Sequence, residues 1–276
     1  MRLGGPFQDP GDSEAWVATA KRLGYRAVSW PLGRAETAEL VRDYVAAATA
    51  GDLLIAEVGA WSNPLSPDEG ARIEAIRLCQ ERLALADAVG ARCCVNIAGS
   101  RGEQWDGPHP DNLTNATFDL IVDTVRTIID AVKPTRTFYT LEPMPWMYPD
   151  SADSYLALIR AIDRPRFAVH LDPVNWISSP RLFFENAALI REFVVKLGPF
   201  IKSCHAKDIQ FSGNLTVHLD EVRPGLGALD YRTLLRELDR LDPDMPLLLE
   251  HLPREDDYAL AANYVRSVAQ EVGVSL

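Results

Sequence analysis

Basic residues are scarce relative to acidic ones: 28 Lys and Arg stand against 39 Asp and Glu, for a formal net charge of -11. A nucleic-acid backbone or an anionic membrane surface needs clustered positive charge, so neither is an expected partner. Histidine is also sparse, at five in 276 residues, which leaves little room for a site built from many imidazoles. The four cysteines (Cys79, Cys93, Cys94 and Cys204) lie in apolar stretches without zinc-type spacing, and read as buried small hydrophobes rather than a disulfide framework. The opening "MRLGGPFQDP" lacks a signal-peptide apolar core, and no apolar run approaches the length of a membrane span. A reducing cytoplasm is the expected compartment. No G-x-G-x-x-G follows the first strand-like run, which counts against a dinucleotide-binding open sheet.

What the chain does have is alternation. Strand-like runs rich in Val, Ile, Leu and aromatics occur at 2–7, 25–30, 53–61, 91–99, 135–143, 166–173, 200–208 and 246–252. Helical patterns fill the intervals, near 12–24, 36–50, 66–89, 115–132, 151–162, 181–197, 229–241 and 256–272. Start signals precede several of them, at Asp12-Ser13, Ser66-Pro67-Asp68 and Ser151, and Gly24, Gly51 and Gly90 stand at expected helix ends. Eight such repeats without a long linker predict a single α/β domain over 1–276, a closed (β/α)₈ TIM barrel. The one long connection, about 209–228, is expected to be a lid or active-site loop.

Barrel enzymes carry their chemistry where strands end. The last four strand-like runs end on Glu142 ("YTLEP"), Asp172 ("VHLDP"), His205 ("SCHAKD") and Glu250 ("LLLEH"). Any one of these alone is as readily a salt-bridge partner or a core histidine. Together they aim three carboxylates and an imidazole at one place, where mutual repulsion calls for a cation. An oxygen-rich set with one imidazole suits one divalent ion, Mn²⁺ or Mg²⁺ first, with Co²⁺ or Zn²⁺ as alternatives.

Supporting residues have two readings each. Strand alternation turns Lys207 to the same side as His205, where it either stabilises an anionic oxygen or neutralises carboxylates. Asp208 orients Lys207 or caps a loop, and His170, deeper on the strand of Asp172, is expected to support the site from behind. Trp61, Trp146 and Trp176 each follow a strand and are candidates for an apolar wall under a sugar, with core packing the ordinary alternative. Asn96 and Arg223 are candidate substrate contacts, Arg223 beside Glu221 in the 209–228 segment, where exposed ion pairing serves equally.

With "HLDPVN", "HAKD" and "PGLGALDY" added to the Glu, Asp, His, Glu order, the whole chain resembles the xylose isomerase-like barrels. These include sugar and sugar-phosphate isomerases and epimerases, ketose 3-epimerases, inosose dehydratases and apurinic endonucleases. The resemblance implies that Glu142, Asp172, His205 and Glu250 bind the ion, that Glu142 and Glu250 double as acid and base on opposite faces of a small carbohydrate, and that the chain forms a homodimer. Two positions depart from the ketose epimerases: Asn175 stands where they have His, and Phe211 where they have Arg. Asn175 remains a substrate hydrogen-bonding candidate but cannot titrate. The expected activity is isomerisation or epimerisation of a small sugar, sugar phosphate or keto-carbohydrate through an enediolate. A lyase on the same scaffold and a non-catalytic sugar-binding barrel are the rivals.

Overall fold

The computed structural model describes residues 1–33 and 37–276. Eight strands form one closed parallel barrel, in the order β1, β10, β7, β6, β5, β4, β3, β2. They are β1 (Arg2–Gly4), β2 (Ala27–Ser29), β3 (Leu54–Gly59), β4 (Cys93–Asn96), β5 (Phe138–Leu141), β6 (Phe167–Leu171), β7 (Ile201–Ala206) and β10 (Pro246–Leu249). Each falls inside a run expected to be a strand, as continuous apolar sequence predicts for strands covered on both faces. The helix expected from 36 starts on a residue outside the described ones; the helix described there is Ala38–Ala50. No described helix is long and apolar enough to cross a membrane.

Two segments differ from the sequence reading. The helix expected over 181–197 is two helices, Pro180–Phe184 and Asn186–Leu197, because Glu185 leaves helical geometry at φ -105° and ψ 20°. The 209–228 connection is largely an antiparallel hairpin, in which β8 (Asp208–Ser212) pairs with β9 (His218–Val222) from Asp208↔Val222 to Ser212↔His218. These strands escape notice in the sequence because they are short and polar, without the apolar run of the barrel strands.

The described residues group into two compact units. The first comprises Met1–Ala56, Asp172–Val195 and Ser203–Leu276. In it β1 pairs with β10 (Leu3↔Leu247) and with β2 (Gly4↔Ala27), so closely that a Cβ on Gly4 would lie 2.1 Å from the Ala27 carbonyl oxygen. Register between β10 and β7 sets Leu248 beside His205 and Leu249 beside Ala206. The second unit comprises Glu57–Leu171 and Lys196–Lys202. There β4 pairs with β3 and β5, and β5 with β6, around buried Val58, Val95, Tyr139 and Leu141. All four cysteines are buried thiols, as their apolar settings predict.

Caps follow the sequence signals. Asp12, Asp68 and Ser151 accept from the backbone N–H groups of Ala15, Ala71 and Ser154, satisfying donors that a helix start leaves open. Gly90 ends its helix in left-handed geometry at φ 74°, whereas Gly51 stays right-handed at φ -83° and needs no glycine-specific backbone there.

Candidate active site

In the first unit the site grows from the ends of β7 and β10. One step beyond the Leu249↔Ala206 pair, Glu250 and Lys207 stand side by side. The Lys207 ammonium lies 2.5 Å from Glu250 Oε1 and 2.7 Å from Asp172 Oδ2. His205 Nδ1 is 2.8 Å from the same Glu250 oxygen. Asp172 follows β6 directly and is held by the next turn, its Oδ1 accepting from Val174 N–H at 3.0 Å and Asn175 N–H at 3.2 Å. Asp172, His205 and Lys207 are buried, and a charge that deep is stable only when matched.

The hairpin reaches this cluster. Glu221 of β9 brings Oε2 within 3.9 Å of Lys207 Nζ and 3.3 Å of His251 Nδ1. Donation of a hydrogen bond to the Glu221 carboxylate raises the His251 pKa above its ordinary value; burial opposes the shift and the Glu250 charge adds to it. Asp208 takes the loop-capping role of the two expected for it. Its carboxylate accepts from the N–H groups of Ile209, Gly225, Gly227 and Leu229 at 2.9, 2.9, 3.1 and 2.9 Å. A Cβ on Gly227 would lie 2.4 Å from both Asp208 Oδ1 and the Ile209 carbonyl oxygen, which explains the glycine in "PGLG". Tyr231 Oη donates to the Lys207 carbonyl at 2.7 Å and fixes the strand end from below.

The second unit supplies a separate buried pair, His170 Nε2 to Glu57 Oε2 at 3.0 Å. His170 therefore has a carboxylate partner that spacing in the sequence did not reveal, since 113 residues separate the two. Glu142, directly after β5, is buried, and its N–H donates to the Asn96 carbonyl at 2.7 Å.

Asp172, His205 and Glu250, all in the first unit, each offer one ligand atom, and these atoms lie within 4.8 Å of one another. Oxygen and nitrogen ligands about 2.0–2.3 Å from one divalent ion stand at most about 4.6 Å apart, so this donor set suits such an ion in chemistry and comes close to it in spacing.

Other candidates need correction. Asn96 is fully buried and spent internally: its Oδ1 accepts from Ser62 N–H at 3.2 Å and its Nδ2 donates to Cys79 Sγ at 3.3 Å. Trp176 is buried with its ring stacked on Phe193, centroids 3.5 Å apart, so it packs the core instead of walling a pocket. Arg223 lies 3.9 Å from Asp257 and donates to the Pro224 carbonyl, as its ion-pairing alternative expects. Trp61 and Trp146 keep exposed rings, Trp146 with its Nε1–H on the Asp106 carbonyl at 2.7 Å.

Among solved structures, the chain is similar to the D-psicose 3-epimerase of Clostridium cellulolyticum H10, solved with D-tagatose (TM-score 0.71, 13% identity, covering 99% of each chain). It is also similar to a probable 3-DHS dehydratase, AsbF, of Bacillus anthracis (TM-score 0.68, 19% identity, 92% of each chain). A third is a xylose isomerase-like TIM barrel protein of Mycobacterium smegmatis in complex with magnesium (TM-score 0.68, 16% identity, 94% of this chain and 87% of that one). At these identities the likeness establishes the fold and nothing finer. No curated protein matches the sequence. The family described as xylose isomerase-like TIM barrel matches over residues 17–268, and the chain belongs to that family.

Proposed function

We propose that this chain is a divalent-metal-dependent isomerase or epimerase of a small keto-sugar, acting as one barrel domain with the 209–228 segment as its lid. The observation that carries the reading is the grouping of Asp172, His205 and Glu250, whose ligand atoms lie within 4.8 Å of one another. These three, with Glu142 as the fourth ligand that the family resemblance implies, would hold Mn²⁺ or Mg²⁺, which when bound supplies a Lewis acid for adjacent carbonyl and hydroxyl oxygens. The neighbour solved with magnesium, the epimerase solved with D-tagatose and a third neighbour that is an L-ribulose 3-epimerase lend support by analogy.

The protein's own part is proton movement. Glu250 or Glu142 takes the proton from the carbon between carbonyl and hydroxyl, and the electron pair moves into the enediolate. The other glutamate, already protonated, returns a proton from the opposite face, which inverts that carbon. Lys207, 2.5 Å from Glu250, places a positive charge beside the developing oxygen anion. Trp61 and Trp146 offer exposed aromatic rings for the apolar face of the sugar, and Asn175 an amide for a hydroxyl.

A dehydratase reading begins from the same proton removal. What favours it is Lys207, whose ammonium is placed to give a proton to a departing hydroxyl as the C–O bond breaks, releasing water. The test is a ketose panel (D-psicose, D-tagatose and L-ribulose) incubated with the protein and Mn²⁺ in D₂O. An epimer or isomer carrying one new C–D bond is expected. A product lighter by one water moves the assignment to the dehydratase. Absence of both turnover and deuterium exchange across the panel contradicts either enzyme.

A further inference from the structure

His251, next to Glu250, holds a left-handed backbone at φ 55°, a region that costs any residue with a Cβ and that glycine occupies freely. If the chain only needed to turn after β10, glycine would serve better. Among the described residues Asp52, Lys133 and Asp163 share this geometry, the last two as helix C-caps, whereas His251 holds it beside the Glu250 cluster, which points to use of its side chain. The imidazole is exposed, 60% of its side-chain surface, and is not packing the core. Its Nδ1 lies 3.3 Å from Glu221 Oε2 on the hairpin, which orients the ring with Nε2 on the Glu250 side. Nε2 stands 3.8 Å from Glu250 Oε2, beyond hydrogen-bond reach. An oxygen atom about 2.8 Å from each would bridge that gap.

The geometry points to His251 as a substrate-binding residue that, oriented by Glu221, holds a sugar hydroxyl between its Nε2 and the Glu250 carboxylate. This rests on the proposed carbohydrate reading and narrows its substrate. The oxygen is a hydroxyl rather than a phosphate, because Glu221 and Glu250 both border the place it would occupy, and Lys207 is already held by Asp172 and Glu250. Glu221 is a positioning residue here, and the hairpin that carries it closes the site at that contact.

The test compares wild type with His251→Gly, Glu221→Ala and Glu221→Gln, all loaded with Mn²⁺. Binding of each ketose in the panel is followed by calorimetry, alongside Tm and bound Mn²⁺. His251→Gly relieves the left-handed backbone, so its Tm is expected to be unchanged or higher, with metal retained, while the ketose Kd rises about tenfold or more. Glu221→Ala should weaken binding similarly, and Glu221→Gln, which keeps an acceptor for Nδ1, should recover most of it. Equal ketose affinity in wild type and His251→Gly overturns this inference alone and leaves the carbohydrate reading standing. A wild-type protein that takes Mn²⁺ but binds no ketose of the panel overturns both.

Discussion

Lys207 is only 2% exposed, and its ammonium is shared between Asp172 and Glu250. Removing one partner from a buried group of charges leaves the others uncompensated, at a cost of about 3–5 kcal/mol. Lys207→Met keeps most of the side-chain length and deletes the charge. Metal-free Lys207→Met is therefore expected to lose about 3 kcal/mol or more in urea unfolding, with much of the loss recovered on adding Mn²⁺. Turnover at saturating Mn²⁺ should fall about a hundredfold if the ammonium also stabilises the enediolate. Unchanged turnover would confine Lys207 to neutralising carboxylates. The side on which Lys207 lies was legible from its spacing to His205. Its partners were not, because they lie 35 and 43 residues away along the chain at the ends of other strands. Asn96 and Trp176 misled for a related reason: position after a strand is visible in the sequence, but the burial that spends a side chain internally is not.

At the scale of elements, local chemistry decides how strands are entered and left. Asp87, near the end of the helix Glu69–Val89, accepts at Oδ1 from the N–H groups of Thr135, Arg136 and Thr137 at 2.9, 2.6 and 3.0 Å, ahead of β5. Burial pushes the carboxyl up, but the N–H groups of Thr137, Arg136 and Thr135 outweigh it and hold the pKa below the usual carboxylate value. A carboxyl depressed in the folded state stabilises the fold fully above its unfolded pKa, and that stability is lost as pH falls through the folded one. Because the carboxylate is partly exposed and its interactions are screened by solvent, Asp87→Ala is expected to cost about 1 kcal/mol near pH 7, with the gap to wild type closing as pH drops below about 4. Urea unfolding at several pH values measures this, and a pH-independent gap would contradict the linkage. Helix starts at Asp12, Asp68 and Ser151 were legible because capping is a local matter. The β8–β9 hairpin was not, since polar five-residue strands pair through backbone groups that leave little trace in side-chain pattern.

Over the whole molecule, eight alternating repeats were enough to predict the closed barrel, because strands covered on both faces announce themselves as apolar runs. Position at strand ends made the Glu142, Asp172, His205 and Glu250 set legible before any geometry, because β5, β6, β7 and β10 each end within one residue of one of them. How that set balances its charge was hidden. Lys207 provides one cation within it, and a divalent ion would provide two further charges in a chain whose net charge is -11. The account stands or falls on that ion. Calorimetric titration of Mn²⁺ into chelator-treated protein, checked by elemental analysis after dialysis, tests it most directly. The predicted result is one ion per chain in wild type, with binding lost or weakened at least tenfold in His205→Ala and Asp172→Asn. Wild type that binds no ion, or variants that bind it as tightly as wild type, would contradict the account.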